Sequence, residues 1–194
     1  MKSIILFQLI LLAIQGITYL LVQHTKRPVH DMSRSVDQKI PLVPQFIYIY
    51  VLWYPLIAAF PLMLYVFDSA MYSRYIVSII IDVCVSLLVY WFYPTTFMRP
   101  KPEKTAFSGK VLALMYIVDY RGRNCMPSMH CSQCFIIMFY ALSCASMPVS
   151  VQTGLILLCT GIVTGTVFTK QHVLIDVITA LPLSILCILA AFLI

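Results

Sequence analysis

Six long runs of apolar residues constrain the fold of this chain more than any other feature of its sequence. Each run has about 19 to 22 residues, enough for a helix to cross a hydrocarbon core of ~30 Å. The runs are Ile4–Val22, Phe46–Phe67, Tyr75–Tyr93, Cys131–Ser150, Val151–Thr169 and Val173–Ile194. They are continuous, whereas the strands of a transmembrane β-barrel alternate between apolar and polar residues. The sequence therefore predicts an all-α, polytopic membrane protein with six transmembrane helices in one bundle.

The amino-acid composition also favours a membrane location. Of the 194 residues, 61% are hydrophobic and only 10% are charged, whereas soluble domains carry roughly 25% charged residues. The first run, Ile4–Val22, is too long for a signal peptide and lacks a small-residue cleavage site, so we interpret it as a span. Because six helices would use most of the chain, we expect residues 1–194 to form a single domain.

The basic residues are concentrated in two of the connections between spans. The formal net charge is +6, and most Lys and Arg residues lie at 23–45 and 94–130. With six spans, the first, third and fifth connections share one side of the membrane, and the other side carries only Lys2, Asp68 and Arg74. Such a charge distribution favours a membrane surface or an anionic head group, and not nucleic acid, as the partner. The positive-inside rule would place this side in the cytoplasm, but basic residues that bind phosphate would mislead that rule.

Two connections allow a local prediction. The segment Asp68–Arg74 is predicted to be a short loop. The third connection has about 37 residues, and loops of that length are usually functional or disordered. Its apolar middle, Val111–Val118, carries Tyr116 and predicts a short helix that lies at the membrane interface. Aromatic residues near the span ends are expected to anchor the protein at the interfaces. They are Trp53, Tyr54, Trp91 and Tyr93.

The stretch GTVFTKQHVLIDV contains two ionisable residues at a helical spacing. His172 and Asp176 are four residues apart and would share one face of a helix. A carboxylate beside an imidazole holds one ring N–H and leaves the other nitrogen free as a base or a nucleophile. Because an unpaired acid is costly within a membrane, Asp176 is expected to have a partner. The alternative is a structural pair, in which His172 and Asp176 only satisfy the hydrogen bonding of each other. Lys170 is either a lysine that snorkels to the interface or a phosphate ligand.

A polar turn, RNCMPSMH, precedes the fourth apolar run. Ser128 is a natural N-cap, and a helix N-terminus offers free N–H groups and a partial positive charge to an anion. His130, on the first turn of that helix, is placed to donate a proton to a bound group. After the third span, Arg99 precedes Pro100, and an arginine held there can form a forked pair of hydrogen bonds with a phosphate. Taken singly, these residues are better explained as a helix cap, an interfacial residue and a lipid anchor.

Together, on one side of the membrane, these residues supply the parts of metal-free phosphoryl transfer. Cations and helix N–H groups would hold the phosphate oxygens, one histidine would attack phosphorus, an aspartate would orient it, and a second histidine would protonate the leaving oxygen. No cluster of carboxylates accompanies His130 and His172. Cys131 and Cys134 form a lone C-x-x-C without a second pair, so neither a metal nor another cofactor is predicted.

In this order on six spans, the motifs RP, PSMH and TKQHVLID resemble those of the type 2 phosphatidic acid phosphatase superfamily of membrane lipid phosphatases. The resemblance covers essentially the whole chain, and MYIVDYRGRNCMPSMH is closer to the inositol phosphorylceramide synthase-like branch. It implies that His172 is the nucleophile that forms a phosphohistidine, that Asp176 orients it, and that His130 is the leaving-group acid. It also implies that Arg99 and Ser128 bind phosphate.

Two cations of the family pattern are missing from this sequence. The first block of the family opens with a lysine seven residues before its arginine, where this chain has Phe92. The third block opens with Ser-Arg, where this chain has Gly165 and Thr166. The predicted replacements are Lys170, one helical turn after Thr166, and Lys101 or Lys104. The reaction is therefore predicted to be retained with a remodelled phosphate pocket.

The sequence thus predicts a metal-independent hydrolase of lipid phosphate monoesters or diphosphates, with the bilayer and a lipid phosphate as its partners. Transfer of a head group is an alternative outcome of the same chemistry. A lipid-binding or transport protein that keeps the fold without turnover is a second class, and the missing cations favour it. The family resemblance places the active site on the extracytoplasmic face of the cell membrane, against the count of positive charges.

Overall fold

The computed structural model describes residues 2–103, 105–118 and 122–194 and consists mainly of α-helices. The helices are α1 (Lys2–Val22), α2 (Ser35–Lys39), α3 (Ile47–Tyr50), α4 (Trp53–Phe67), α5 (Ser69–Phe92), α6 (Phe107–Val118), α7 (Met129–Ser143), α8 (Val149–Phe168) and α9 (Leu174–Leu193). A 3-10 turn at Pro44–Phe46 leads into α3. The two-residue strands β1 (His30–Asp31) and β2 (Thr95–Thr96) form a parallel pair. The predicted all-α class is confirmed.

Five segments are long and apolar enough to cross a membrane. They are Lys2–Val22, Pro44–Phe67, Ser69–Phe92, Val149–Phe168 and Leu174–Leu193. These segments correspond to five of the six predicted spans, and the largest difference is at the third, which begins at Ser69 and not at Tyr75. The chain is therefore a helical protein of the integral membrane class.

The predicted fourth span, Cys131–Ser150, differs from the others. Its helix, α7, has 15 residues, about 22 Å of helix, and so falls short of a hydrocarbon core of ~30 Å. It occupies the centre of the bundle, where it packs on α4, α5, α8 and α9, and Ile136, Ile137 and Tyr140 are fully buried. Residues 144–148 form the turn to α8. The apolar character of this segment therefore reflects burial within the protein more than contact with lipid.

The loop predicted at Asp68–Arg74 is mostly helical. Asp68 alone separates α4 from α5, and its Oδ1 accepts hydrogen bonds from the N–H groups of Ala70 at 3.0 Å and Met71 at 2.9 Å. A capping aspartate satisfies N–H groups that the first turn of a helix leaves without partners. This cap starts α5 within the segment that the sequence analysis assigned to a loop.

The first, third and fifth connections are in contact with one another, as the arrangement of spans predicts. In the β1–β2 pair, His30 from the first connection lies opposite Thr95 from the third. Nζ of Lys170, in the fifth connection, donates to the carbonyl of Asp37 in the first at 2.7 Å. The helix predicted at Val111–Val118 is present as the C-terminal part of α6. These contacts gather the polar segments at one end of the bundle.

Candidate active site

A histidine–aspartate pair lies where α8 is followed by α9. Nδ1 of His172 is 3.1 Å from Oδ2 of Asp176, which is fully buried. The same carboxylate oxygen accepts a hydrogen bond from the N–H of Val173 at 3.1 Å. Because an ionised carboxylate only accepts hydrogen bonds, the shared proton belongs to Nδ1 of His172, and Nε2 keeps its lone pair. The expected partner of Asp176 is thus present.

The turn between the two helices, and not a shared helical face, brings this pair together. α8 ends in a Schellman motif, in which the N–H of Gln171 donates to the carbonyl of Thr166 at 2.9 Å. Lys170 occupies the left-handed position of the motif, with φ of 51°. His172 therefore precedes α9, and Asp176 lies in its first turn. The four-residue spacing gave the right contact through a different local structure.

His130 extends the pair into a chain of hydrogen-bonding side chains. Its Nδ1 is 3.4 Å from Nε2 of His172, and its Nε2 is 3.0 Å from the hydroxyl of Tyr50. Because Nε2 of His172 is an acceptor, Nδ1 of His130 is the donor, and Nε2 of His130 accepts from the Tyr50 hydroxyl; these proton positions are assigned from the network. The proton on His130 is therefore held next to the nitrogen that could act as a nucleophile.

Ser128 is the N-cap of α7 and connects it to α9. Its Oγ accepts from the N–H of Cys131 at 3.3 Å, and its own N–H donates to the carbonyl of Asp176 at 3.2 Å. Ser128 is fully buried and lies behind the cavity wall, not on it. In this structure it positions the N-terminus of α7, on which His130 lies.

The imidazoles of His130 and His172 face a cavity of about 380 Å³. Residues of α1, including Gly16 and Tyr19, form one wall, and residues of α3 and α4 form another. Trp53 in the second wall is 6% exposed, and its indole ring packs on the His130 ring with a centroid distance of 4.2 Å. The prediction that Trp53 anchors the protein at the membrane interface is therefore wrong, because its ring is buried against the site.

Two arginines line the polar end of the cavity. Arg99, a predicted site residue, has its Nη2 3.5 Å from the carbonyl of Gln171 and its guanidinium 5.4 Å from the ring centroid of Tyr116. Arg123, which the sequence analysis did not select, donates from Nη1 to the carbonyl of Thr25 at 2.9 Å. Both arginines are half-buried, and partial burial strengthens their attraction for an anion relative to bulk water.

Of the lysines expected to replace the missing cations, Lys170 and Lys101 do not line the cavity. Nζ of Lys170 donates to the backbone carbonyl of Asp37 at 2.7 Å. Burial lowers the pKa of Lys170, and the nearby Asp37 carboxylate opposes that change. Lys101 is exposed and is not part of the cavity wall, and Lys104 lies outside the described residues. The left-handed turn at Lys170 directs its side chain toward α2, so neither Lys170 nor Lys101 joins the histidines at the cavity.

The positions that differ from the family pattern hold uncharged residues that do not line the cavity. Phe92 is 60% exposed, and its ring centroid lies 4.9 Å from the guanidinium of Arg27. A Cβ added at Gly165 would come within 3.3 Å of Ile49, so α8 and α3 approach closely there. Thr166 is fully buried. In the described part of the chain, the cations that line the cavity are thus the two arginines above.

Sequence reasoning missed several polar residues of the cavity wall. They are Gln23, Tyr50, Arg123, Asn124 and Gln171. Arg123 and Asn124 belong to the same polar turn as the P-S-M-H motif, and Gln171 directly precedes the predicted nucleophile, so their positions in the sequence are a signal that could have found them. Nothing in the local sequence marks Gln23 or Tyr50, because only the packing of α1 and α3 brings them to the site.

Of the remaining reactive side chains, Cys125 also lines the cavity. All seven cysteines are free thiols. Within the described ranges, no group of three or more His, Cys, Asp or Glu residues is arranged to hold a metal ion. Asp82, an unexplained acid of the third span, is fully buried, with Ser132 and Gln133 of α7 as its neighbours. It does not line the cavity.

The fold and the cavity define an integral membrane protein of α-helices with a buried His–His–Asp chain. Comparison with protein-family models, with curated proteins and with solved structures finds no match for this chain. The resemblance to membrane lipid phosphatases therefore depends on the sequence motifs alone.

Proposed function

We propose that this protein is a metal-independent lipid phosphatase or phosphotransferase that forms a phosphohistidine at His172. The observation that supports this most directly is the hydrogen-bonded chain of Asp176, His172 and His130 at the cavity wall. Asp176 holds the proton of His172 at Nδ1, which leaves Nε2 as the nucleophile. The motif resemblance to the type 2 phosphatidic acid phosphatase superfamily assigns the same roles to these three residues.

The first step of the proposed reaction is attack of Nε2 of His172 on the phosphorus of a lipid phosphate. An N–P bond forms while the bond from phosphorus to the lipid oxygen breaks. His130, which takes up a second proton when the anionic substrate binds, gives a proton to that oxygen and returns to its neutral form. Asp176 stabilises the positive charge that develops on His172. In the second step, a water molecule or an alcohol attacks the phosphohistidine and passes its proton to His130, which releases phosphate or a new phosphate ester.

The surroundings of the histidines suit a lipid phosphate. Arg99 and Arg123 at the polar end would neutralise the phosphate oxygens as charge develops on them. The wall formed by α1 includes Leu12 and Leu20 and offers an apolar surface to a hydrocarbon tail. A site that combines these two surfaces favours an amphipathic substrate over a free sugar phosphate.

We extend the proposal to a six-span topology in which α7 is the sixth crossing. The third and fifth connections are in contact, since the hydroxyl of Tyr116 donates to the carbonyl of Thr169 at 2.8 Å. α8 is long enough to span and ends in the fifth connection. A chain that leaves the third connection and returns to the same side through α8 must first cross in the other direction, and α7 is the helix between them.

Replacement of the nucleophile tests the mechanism. With purified protein and a lipid carrying radiolabelled phosphate, His172→Ala is expected to abolish both phosphate release and acid-labile protein-bound phosphate, whereas EDTA is expected to change neither. His24→Ala is the matched control and should retain activity. His24 is exposed, lies just after α1, and its Nδ1 contacts only the carbonyl of Leu20 (2.9 Å) among the described residues. Activity that survives in His172→Ala, or that EDTA abolishes, would contradict the proposal.

A lipid-binding or transport protein of the same fold is the second candidate. Phe92 and Thr166 place uncharged side chains where cations were expected, and Lys170 contacts Asp37 and not the cavity. These features favour the second candidate, since each removes a cation from the expected phosphate pocket. Saturable binding of lipid phosphates without protein-bound phosphate, across a broad panel of these lipids, would favour this second function over the first.

A further inference from the structure

Three carboxamide side chains line the cavity beside the histidines with polar atoms that have no hydrogen-bond partner in the described part of the chain. Asn124 is 1% exposed, and neither its Nδ2 nor its Oδ1 has a partner. Gln171 and Gln23 are 4% and 2% exposed, and the Nε2 of each has no partner. Buried polar groups are nearly always satisfied. Three such amides at one cavity therefore indicate a ligand that would satisfy them.

The two polar atoms of Asn124 restrict the chemistry of that ligand. An ionised phosphate offers acceptors, which suit Nδ2 and the arginines, but Oδ1 requires a hydrogen-bond donor. A hydroxyl group is both a donor and an acceptor, so neighbouring hydroxyls would satisfy both ends of the carboxamide. Because both atoms lack partners, exchanging the assigned oxygen and nitrogen of the amide leaves this argument unchanged.

The turn that carries Asn124 is held in place by the surrounding structure. Asn124 adopts a left-handed conformation with φ of 63°, which asparagine tolerates better than most residues. The next two N–H groups, of Cys125 and Met126, both donate to Oγ1 of Thr95, at 3.1 and 2.9 Å. The position of the carboxamide at the cavity wall is therefore fixed by contacts with β2, at the opposite end of the same connection.

We propose that Asn124, together with Gln171 and Gln23, forms a hydroxyl-binding subsite next to the phosphate, so that the ligand is a polyol phosphate. This inference rests on the proposed function, because the phosphate is the group that His172 would attack. The polyol is either the head group of the lipid or the acceptor of the phosphoryl group. As an acceptor, its oxygen bonds to phosphorus while the N–P bond of the phosphohistidine breaks, and its proton passes to His130.

Equilibrium binding of three soluble probes tests the subsite. Inorganic phosphate, glycerol 3-phosphate and myo-inositol 1-phosphate would be titrated into the full chain in detergent while the fluorescence of Trp53, which packs on His130, is followed. Trp91 is 46% exposed and would be replaced by Phe in every sample to remove its signal. We expect the polyol phosphates to bind about tenfold more tightly than inorganic phosphate, the effect of one or two well-placed hydrogen bonds.

In Asn124→Gly, the ratio of polyol phosphate affinity to inorganic phosphate affinity is expected to fall to about one. The substitution removes the carboxamide that would bind the hydroxyl groups, while glycine still adopts the left-handed backbone conformation. Gln152→Ala is the matched control, because Gln152 donates to the carbonyl of Cys144 at 3.0 Å, in the turn between α7 and α8, and does not line the cavity. Equal binding of the three probes by the unsubstituted protein, a ratio that survives in Asn124→Gly, or an equal loss in Gln152→Ala would overturn the proposal.

The two proposals fail in distinguishable ways. Binding needs no turnover, so a polyol preference without a phosphohistidine at His172 would retain the subsite and refute the phosphatase. A phosphohistidine at His172 without a polyol preference would retain the phosphatase and refute the subsite. When a free polyol is added to the preformed phosphoenzyme, a transferred polyol phosphate identifies the polyol as the acceptor. If the polyol is instead the head group of a phosphodiester lipid, attack by His172 releases the lipid alcohol and water then releases the polyol phosphate. Release of polyol phosphate from such a lipid, with no transfer to added free polyol, identifies it as the head group.

Discussion

At the residue scale, a single carboxylate determines the hydrogen positions of three other side chains. Asp176 accepts from Nδ1 of His172, which leaves Nε2 of that ring as an acceptor. His130 must then donate to it from Nδ1 and accept at Nε2 from the hydroxyl of Tyr50. The direction of these hydrogen bonds agrees with the proposed roles of His172 as the nucleophile and His130 as the proton donor.

The charge of Asp176 can be tested separately from its hydrogen bonds. In Asp176→Asn the amide oxygen is expected to take the place of Oδ2, because the N–H groups of His172 and Val173 both donate there. The geometry is then kept and only the negative charge is lost. Single-turnover formation of phosphohistidine should slow by about 10²- to 10³-fold, the range for loss of one electrostatic stabiliser.

Asp31→Asn is the control for that experiment, since Asp31 is an exposed acid whose hydrogen bonds in the described residues come from the nearby Ser33. It should leave the rate unchanged. An unchanged rate in Asp176→Asn, with a thermal unfolding midpoint close to that of the unsubstituted protein, would show that the charge does not assist the reaction.

Local spacing predicted some of these residues and not others, for a physical reason. A separation of four residues keeps His172 and Asp176 close in either a helix or a capping turn, so their contact was predictable. The direction of Lys170 was not, because it depends on a left-handed turn and on a carbonyl of Asp37, 133 positions away in the sequence. Contacts over such a separation leave no local pattern.

At the element scale, hydropathy predicted the helices well but could not separate burial in lipid from burial in protein. The apolar run that contains α7 continues through residues 144–148, which form a turn packed against the end of α4. In that turn, the hydroxyl of Ser146 donates to the carbonyl of Phe67 at 2.7 Å. The sequence therefore predicted a longer helix than the structure contains.

The start of α5 can be tested through its cap. Asp68→Ala removes the acceptor for the N–H groups of Ala70 and Met71 and should destabilise the protein by about 1 kcal/mol. Asp68→Ser keeps a capping oxygen, so its free energy of unfolding should fall by less than that of Asp68→Ala. Denaturant unfolding in detergent would measure both variants. Equal stability of the alanine and serine variants would mean that the cap does not stabilise α5.

At the scale of the whole molecule, α1 is the least buried of the spans. Only 11% of the residues in its most apolar stretch are buried, compared with 33% to 44% for the other four spans. The buried residues of α1 are Gln8 and Gln15, while its large apolar side chains are mostly exposed. A helix with this distribution presents apolar residues to lipid and polar groups to the interior. It forms a wall between the bilayer and the cavity that contains the histidines.

If the hydrocarbon tail of a substrate lies against this wall, a larger side chain there should reduce activity on long-chain substrates more than on short-chain substrates. Gly16 lines the cavity, and a Cβ added there meets nothing within 4 Å, so Gly16→Leu is expected to extend a side chain along the wall without a clash. For a long-chain lipid phosphate, kcat/KM should fall by about tenfold, the size of one or two lost apolar contacts, whereas a short-chain analogue should be affected less.

Gly154→Leu is the matched control, because Gly154 also has open space around it but lies on α8, outside the cavity wall. The same loss for both tail lengths, or the same loss in Gly154→Leu, would show that the tail does not lie against α1.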